Sequence, residues 1–105
     1  MTISVKKLKD IANEVNNTNV FIQVRMYDTD KLVDFVEQID ENMQFDVAKD
    51  DSPRMNSILL SELLDITINF SDTDTLTVYH PNTKELLPIT SAEYIEETNT
   101  FMFGV

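Results

Sequence analysis

The chain has 105 residues and a formal net charge of −11 at pH 7, because 19 acidic residues outnumber 8 basic ones. It contains no cysteine and one glycine, which excludes disulfide scaffolds, thiolate zinc sites and cysteine nucleophiles as well as glycine-rich phosphate-binding loops. Hydrophobic residues make up 42% of the sequence, enough for one core, so the composition predicts a single small acidic domain over residues 1–105.

The first half of the chain predicts a helix–strand–helix–strand unit. Apolar residues recur at spacings of three and four over Ser4–Asn16, as on one face of a helix, whereas Val20–Tyr27 alternates as a strand with one buried face does. Asp30–Met43 carries a second helical stripe, and Phe45 and Val47 mark a short strand after it. This order predicts a parallel strand pair joined by a right-handed crossover. The stripe of the second predicted helix consists of Leu32, Phe35, Val36, Ile39 and Met43.

The second half predicts a β-meander. Residues 54–65 fit either a short helix, which we favour, or a strand, because Pro53 can begin a helix while Ile58–Leu60 is an uninterrupted apolar run. The predicted fold class is therefore α+β, with two or three helices packed on one face of a mostly antiparallel sheet. The alternation that follows predicts strands around residues 66–70, 76–78, 87–89, 94–95 and 101–105.

The sequence lacks the residue patterns that catalysis and metal binding require. The segments 28–30 and 72–74 are both Asp-Thr-Asp, the spacing that opens a calcium loop, but the glycine needed at position six is Val33 in one case and Thr77 in the other. These triplets fit helix caps and turns instead. His80 is the only histidine and no serine lies in a nucleophile elbow, so we expect neither an enzyme nor a metal or other cofactor.

The negative charge is distributed unevenly along the chain. Residues 1–26 carry a net charge of +2, whereas residues 27–105 carry −13. On the second predicted helix, acidic residues at spacings of four, three and four would place neighbouring carboxylates about 4.5–6 Å apart, comparable with the spacing of nucleic-acid phosphates. An ordinary solvated helix face is the alternative interpretation of this column. The predicted partner-binding residues are Asp30, Asp34, Glu37, Asp40, Glu41, Asp46, Asp50 and Asp51.

In charge and predicted architecture the chain is similar to small DNA-mimicking inhibitors made by phages, which include anti-CRISPR and anti-restriction proteins. This resemblance implies a non-catalytic inhibitor whose acidic helix face occludes the basic nucleic-acid-binding surface of a partner protein. A field of this sign attracts basic proteins and repels both nucleic acid and anionic membranes. Tyr27 and Tyr79 are candidate anchors of such an interface, with packing on the second face of a strand as their alternative role.

A second interpretation is a structural or assembly accessory protein. Its C-terminal strands, with Phe101, Met102 and Phe103, would pair edge to edge and form oligomers. In either case we expect a cytoplasmic protein, because no apolar run approaches the ~18 residues of a membrane helix and no signal-peptide pattern opens the chain.

Overall fold

One curled sheet dominates the structure. A computed structural model describes residues 2–27, 29–47, 58–80 and 83–105, and within these ranges 47% of the residues lie in strands and 20% in helices. In chain order the elements are α1 (Val5–Ala12), β1 (Ile22–Met26), β2 (Thr29–Ile39), β3 (Asn42–Val47), α2 (Leu60–Ile66), a 3-10 turn (Thr67–Asn69), β4 (Thr75–Tyr79), β5 (Leu86–Pro88), β6 (Ser91–Ile95) and β7 (Thr100–Gly104).

The sheet is mixed and forms a half-barrel. Its strand order is β5-β4-β3-β2-β1-β7-β6, in which β1 runs parallel to β7, β3 runs parallel to β4, and the other neighbours are antiparallel. The two edge strands, β5 and β6, are separated in the chain only by Ile89 and Thr90. The amide of Ile89 donates to the carbonyl of Leu76 (3.0 Å) and the amide of Thr90 to that of Gly104 (2.8 Å). This corner therefore connects the two ends of the curled sheet.

The core lies on the inner side of the sheet. The alternation predicted for the first strand is confirmed, because Ile22, Val24 and Met26 are fully buried while the residues between them are not. At the centre of the core, the ring of Phe103 packs edge to face against two others, with centroid distances of 5.0 Å to Phe45 and 5.2 Å to Phe101.

Helix α1 is fixed to the sheet by its first turn as well as by its apolar face. Ser4 caps the helix, because its hydroxyl accepts a hydrogen bond from the amide of Lys7 (3.2 Å). The amides of Val5 and Lys6 donate to the carbonyls of the 72–74 turn, at 2.8 and 3.1 Å, so two donors that helices usually leave unpaired are satisfied by a distant segment. The buried residues of this helix are Val5, Leu8 and Ala12.

The prediction of an α+β fold with helices on one face of a mostly antiparallel sheet is wrong. The segment expected to form the second helix, Asp30–Met43, belongs to the antiparallel strands β2 and β3. The expected strand–helix–strand crossover is therefore absent from this part of the chain, and β1, β2 and β3 follow one another as neighbouring antiparallel strands.

A bulge in β2 explains why this segment resembles a helix in sequence. Val33 pairs with Val47 while Phe35 pairs with Asp46, so one residue of β2 has no counterpart in β3. An extra residue reverses the alternation, and the core-facing positions become Val33 and Val36, three residues apart. Apolar residues three positions apart are typical of a helix, so the bulge produces helical spacing within a strand.

The other helix predictions are confirmed in part. The first helix forms but ends at Ala12, and the ambiguous segment 54–65 contains a helix from Leu60, with residues 54–57 outside the described ranges. The strand expected at 66–70 is wrong, because Thr67–Asn69 forms a 3-10 turn that leaves Ile68 80% exposed. Neither α1 nor α2, the two α-helices of the described chain, has the length and apolarity to cross a membrane.

The turn between β2 and β3 provides a test that distinguishes a hairpin from a helix. Ile39 pairs with Asn42, which leaves Asp40 and Glu41 as the turn, and Asp40 has a left-handed φ of 55°. Asp40→Gly is expected to raise the free energy of unfolding by about 0.5–1 kcal/mol, because glycine adopts this conformation without steric strain. In the interior of a helix the same substitution would lower it by about 1 kcal/mol. Urea denaturation followed by circular dichroism measures the difference.

Glu41→Gly is the matched control for this substitution. It removes the same charge at the adjacent position, which has no positive φ. We expect no gain in stability from it, since glycine there adds only freedom to the unfolded chain. A lower stability of Asp40→Gly, or equal gains from both variants, would contradict the turn described above.

Candidate functional site

The structure distributes the predicted partner-binding carboxylates over a hairpin. Asp30, Asp34 and Glu37 lie on β2, the pair Asp40 and Glu41 forms the exposed turn, and Asp46 lies on β3. The two remaining predicted residues, Asp50 and Asp51, fall outside the described ranges.

These carboxylates do not form the column expected from a helix. A strand rises about 3.3 Å per residue, so the four-residue step from Asp30 to Asp34 spans roughly 13 Å instead of about 6 Å. Phe35 and Ile39, which were expected in the core, are 54% and 40% exposed and lie among the acidic positions. The predicted column of carboxylates is therefore replaced by a strand in which carboxylates and exposed apolar side chains are mixed.

One of the predicted carboxylates is neutralised within the chain. The guanidinium of Arg25 donates two hydrogen bonds to Asp30, from Nε at 2.8 Å and from Nη2 at 3.1 Å. The hydrogen bond to Asp30 and its negative charge, with a smaller contribution from Glu93, raise the pKa of Arg25 above its ordinary value. Asp30 is therefore a poor candidate for pairing with a partner's cation.

The pairing of four strands places a row of side chains on the outer side of the sheet. Phe35 of β2 is opposite Asp46 of β3, which is in register with Tyr79 of β4, which is opposite Leu86 of β5. Side chains at registered positions share one face, and this face is the outer one because the alternate residues, such as Val78, are in the core. We call the outer side of β2, β3, β4 and β5 the outer sheet face.

A more buried polar row runs beside the first. Registered neighbours here are Glu37, Gln44, Thr77 and Pro88, and Gln44 and Thr77 are each only 8% exposed. The amide Nε2 of Gln44 donates to Asp46 at 3.2 Å, whereas the hydroxyl of Thr77 has no hydrogen-bond partner within the described chain. A buried hydroxyl without a partner is uncommon in folded proteins.

Of the large side chains on this face, the sequence analysis singled out Tyr79 as a candidate anchor and passed over three that are exposed. Tyr79, a predicted anchor, is half-buried in the row, whereas Phe35, Ile39 and Leu86 were not singled out as exposed residues. The alternation of Phe35, Glu37 and Ile39 was the available signal, since residues two apart share one side of a strand. The other predicted anchor, Tyr27, lies in the β1–β2 turn, 63% exposed, with its ring centroid 5.6 Å from that of His80.

The strand that the assembly interpretation relied on is interior. Strand β7 is paired with β1 on one side and with β6 on the other, and Phe101 and Phe103 are fully buried. Thr100–Gly104 therefore has no free edge for pairing with a second chain. The free edge of this C-terminal hairpin belongs to β6.

Within the part of the chain that the structure describes, no group of three or more histidine, aspartate or glutamate side chains is arranged to hold a metal ion. Comparison with known proteins adds no further constraint, because no protein-family model, no curated protein and no solved structure matches the chain.

Proposed function

We propose that the protein is a non-catalytic binding protein that uses its outer sheet face to occupy a basic surface of another protein. The observation that carries this proposal is the combination of exposed apolar side chains and carboxylates on that one face. Phe35, Ile39 and Leu86 are each at least 40% exposed. Glu37 lies between Phe35 and Ile39 along β2, and Asp46 lies between Phe35 and Leu86 in the registered row.

The apolar residues provide the anchors of this interface. Binding energy in protein interfaces is concentrated in a few large side chains that become buried, and aromatic residues are prominent among them. Phe35 is the largest exposed side chain of the outer sheet face, and Leu86 lies at the other end of the same row. A partner that covers this row removes both from water at once.

The carboxylates determine which class of partner binds. Glu37 and Asp46 form no ion pair within the described ranges, unlike Asp30. The net charge of −11 attracts cationic surfaces over a distance of about one Debye length, roughly 8–10 Å at physiological salt. Surfaces that bind nucleic acids are the most basic ones that proteins present, so we propose that occlusion of such a surface is the consequence of binding.

Charge-matched variants test this proposal. Protein immobilised on a resin captures basic proteins from a bacterial lysate, and the affinity of each purified captured protein is then measured by fluorescence anisotropy. The variant Glu37→Gln/Asp46→Asn is expected to bind roughly tenfold more weakly, and Phe35→Ala at least as weakly as that, because each removes part of the interface. A captured partner should also release its nucleic acid when the wild-type protein is added.

The matched control is Asp65→Asn/Glu85→Gln, which removes the same formal charge from two exposed residues outside the outer rows. It should retain wild-type affinity. Equal weakening of both double variants would show that only the overall charge matters, and unchanged affinity of Phe35→Ala would remove the outer sheet face from the interface.

A further inference from the structure

A second surface of the molecule, beside the edge strand β6, has the features of a peptide-binding cleft. An open cleft of about 580 Å³ lies between the C-terminal end of α1 and strand β6. Its apolar lining comes from Ile11 and Val15 on the helix side and from Ala92 and Tyr94 on the strand side. These four residues are partly buried and pack against the core, so the floor of the cleft is continuous with the core.

The strand that forms one wall of this cleft is an edge strand with unpaired backbone groups. The amide of Phe101 donates to the carbonyl of Phe21, which lies next to β1. In β7 the odd-numbered residues therefore direct their backbone N–H and C=O groups toward β1. The even-numbered residues direct theirs toward β6. In the antiparallel β6–β7 pair, Glu93 is opposite Met102 and is therefore bonded to β7. The intervening residues Ala92 and Tyr94 direct their N–H and C=O groups to the free edge, where no described backbone group bonds to them.

The charge around the cleft is of one sign. Glu14, Glu93 and Glu96 line it, and none of the described residues that line it is basic. Glu14 and Glu96 are exposed and take part in no ion pair within the described chain. An unpaired sheet edge accepts an extended chain through main-chain hydrogen bonds, and the apolar floor and acidic rim specify which side chains that chain carries.

We propose that this cleft binds an extended segment of a partner protein that alternates apolar residues with lysine or arginine, and that the segment adds to β6 as a further strand. Its apolar side chains contact Val15, Ala92 and Tyr94. Its cations point to the opposite side of the added strand, the side of β6 on which the exposed Glu93 lies. This inference uses a different surface from the outer sheet face and does not depend on it.

Synthetic peptides test the proposal on the intact protein. The probe is an eight-residue peptide of alternating valine and lysine, and its counterpart alternates valine and glutamate. The valine–lysine peptide is expected to shift the amide NMR signals of Ala92 and Tyr94 and to slow their hydrogen exchange, because strand addition gives these amides acceptors. The valine–glutamate peptide should not bind, and added salt should weaken the binding of the first peptide.

N-methylation of the peptide identifies strand addition specifically. Methyl groups on the backbone nitrogens that face β6 should abolish binding, whereas methyl groups on the nitrogens that face away from β6 should leave it intact. On the protein side, Glu93→Gln should weaken binding roughly threefold, as expected for one rim charge. Glu85→Gln, which removes the same formal charge from an exposed residue elsewhere, should have no such effect.

Several results would overturn the inference. Absence of binding at millimolar peptide, or equal loss from methylation of either edge, would show that no strand is added at β6. Signal shifts confined to Phe35 and its neighbours would assign the peptide to the outer sheet face instead. Protection of Ala92 and Tyr94 that increases with protein concentration in the absence of peptide would show that a second copy of the chain occupies the edge.

Discussion

Phe45→Ala is expected to lower the free energy of unfolding by about 3–5 kcal/mol, which is a large share of the ~5–15 kcal/mol that a small domain has. Phe45 is fully buried on β3, and its ring packs edge to face against Phe103 at 5.0 Å. Removing it leaves a cavity between β3 and β7, two strands that are separated by β2 and β1 in the sheet but contact each other through these rings. Urea denaturation of purified protein at neutral pH measures the loss.

Phe35→Ala is the control for this prediction and contrasts a core ring with a surface ring. Phe35 lies on the neighbouring strand, 54% exposed, and its removal creates no cavity. We expect a change in unfolding free energy of less than about 0.5–1 kcal/mol. If the two variants lost similar stability, the assignment of inner and outer sides to β2 and β3 would be incorrect.

Leu8→Ala is expected to lower the free energy of unfolding by about 2–5 kcal/mol. Helix α1 has eight residues, too few to be stable alone in water, so it depends on the contacts of its buried side with the sheet. Leu8 is fully buried at the centre of that side. The loss should be accompanied by faster hydrogen exchange throughout α1, which NMR measures residue by residue.

Lys7→Ala is the matched control within the same helix. Lys7 is exposed, and alanine has the higher helix propensity, so we expect a change within about 0.5 kcal/mol. A large effect of Lys7→Ala, or a small effect of Leu8→Ala, would contradict the orientation of α1.

The sequence predicted the elements in which a single periodicity is preserved. The first strand is recognisable because Ile22, Val24 and Met26 alternate without interruption, and one face of the strand lies in the core. The first helix is recognisable because Ser4 provides a cap and Leu8 belongs to a regular stripe. In both cases the local pattern and the tertiary packing require the same residues to be buried.

The β2–β3 hairpin could not be predicted in this way, because its bulge and its turn interrupt the alternation of apolar and polar residues that is typical of a strand. The extra residue beside Val33 changes the phase of the alternation, and the turn at Asp40 uses a left-handed residue other than glycine or asparagine. The apolar residues of the segment were assigned to one helical face, although Phe35 and Ile39 lie outside the core. The expected carboxylate column does not form either, because it requires the residue spacing of a helix.

Only some residues of the outer sheet face could be predicted from local sequence. Sequence reasoning named Glu37 and Asp46 for their charge, and the structure places them on the outer sheet face with Tyr79. It could not place Leu86 on this face, because that position depends on the pairing of β4 with β5. The cleft beside β6 could not be predicted from the sequence either, because its walls come from a helix and a strand that are far apart in the chain.

The position of the final strand has a consequence for how quickly the chain folds. Strand β7 lies between β1 and β6, and its register with β1 joins Ile22 to Phe101, so this pair connects segments that are far apart in the sequence. The β2–β3 and β6–β7 hairpins can form locally, but joining them into one sheet through β1 requires this distant pairing. Proteins dominated by such non-local pairings fold in milliseconds to seconds, and we expect refolding of this protein to be limited by the search that brings its two ends together.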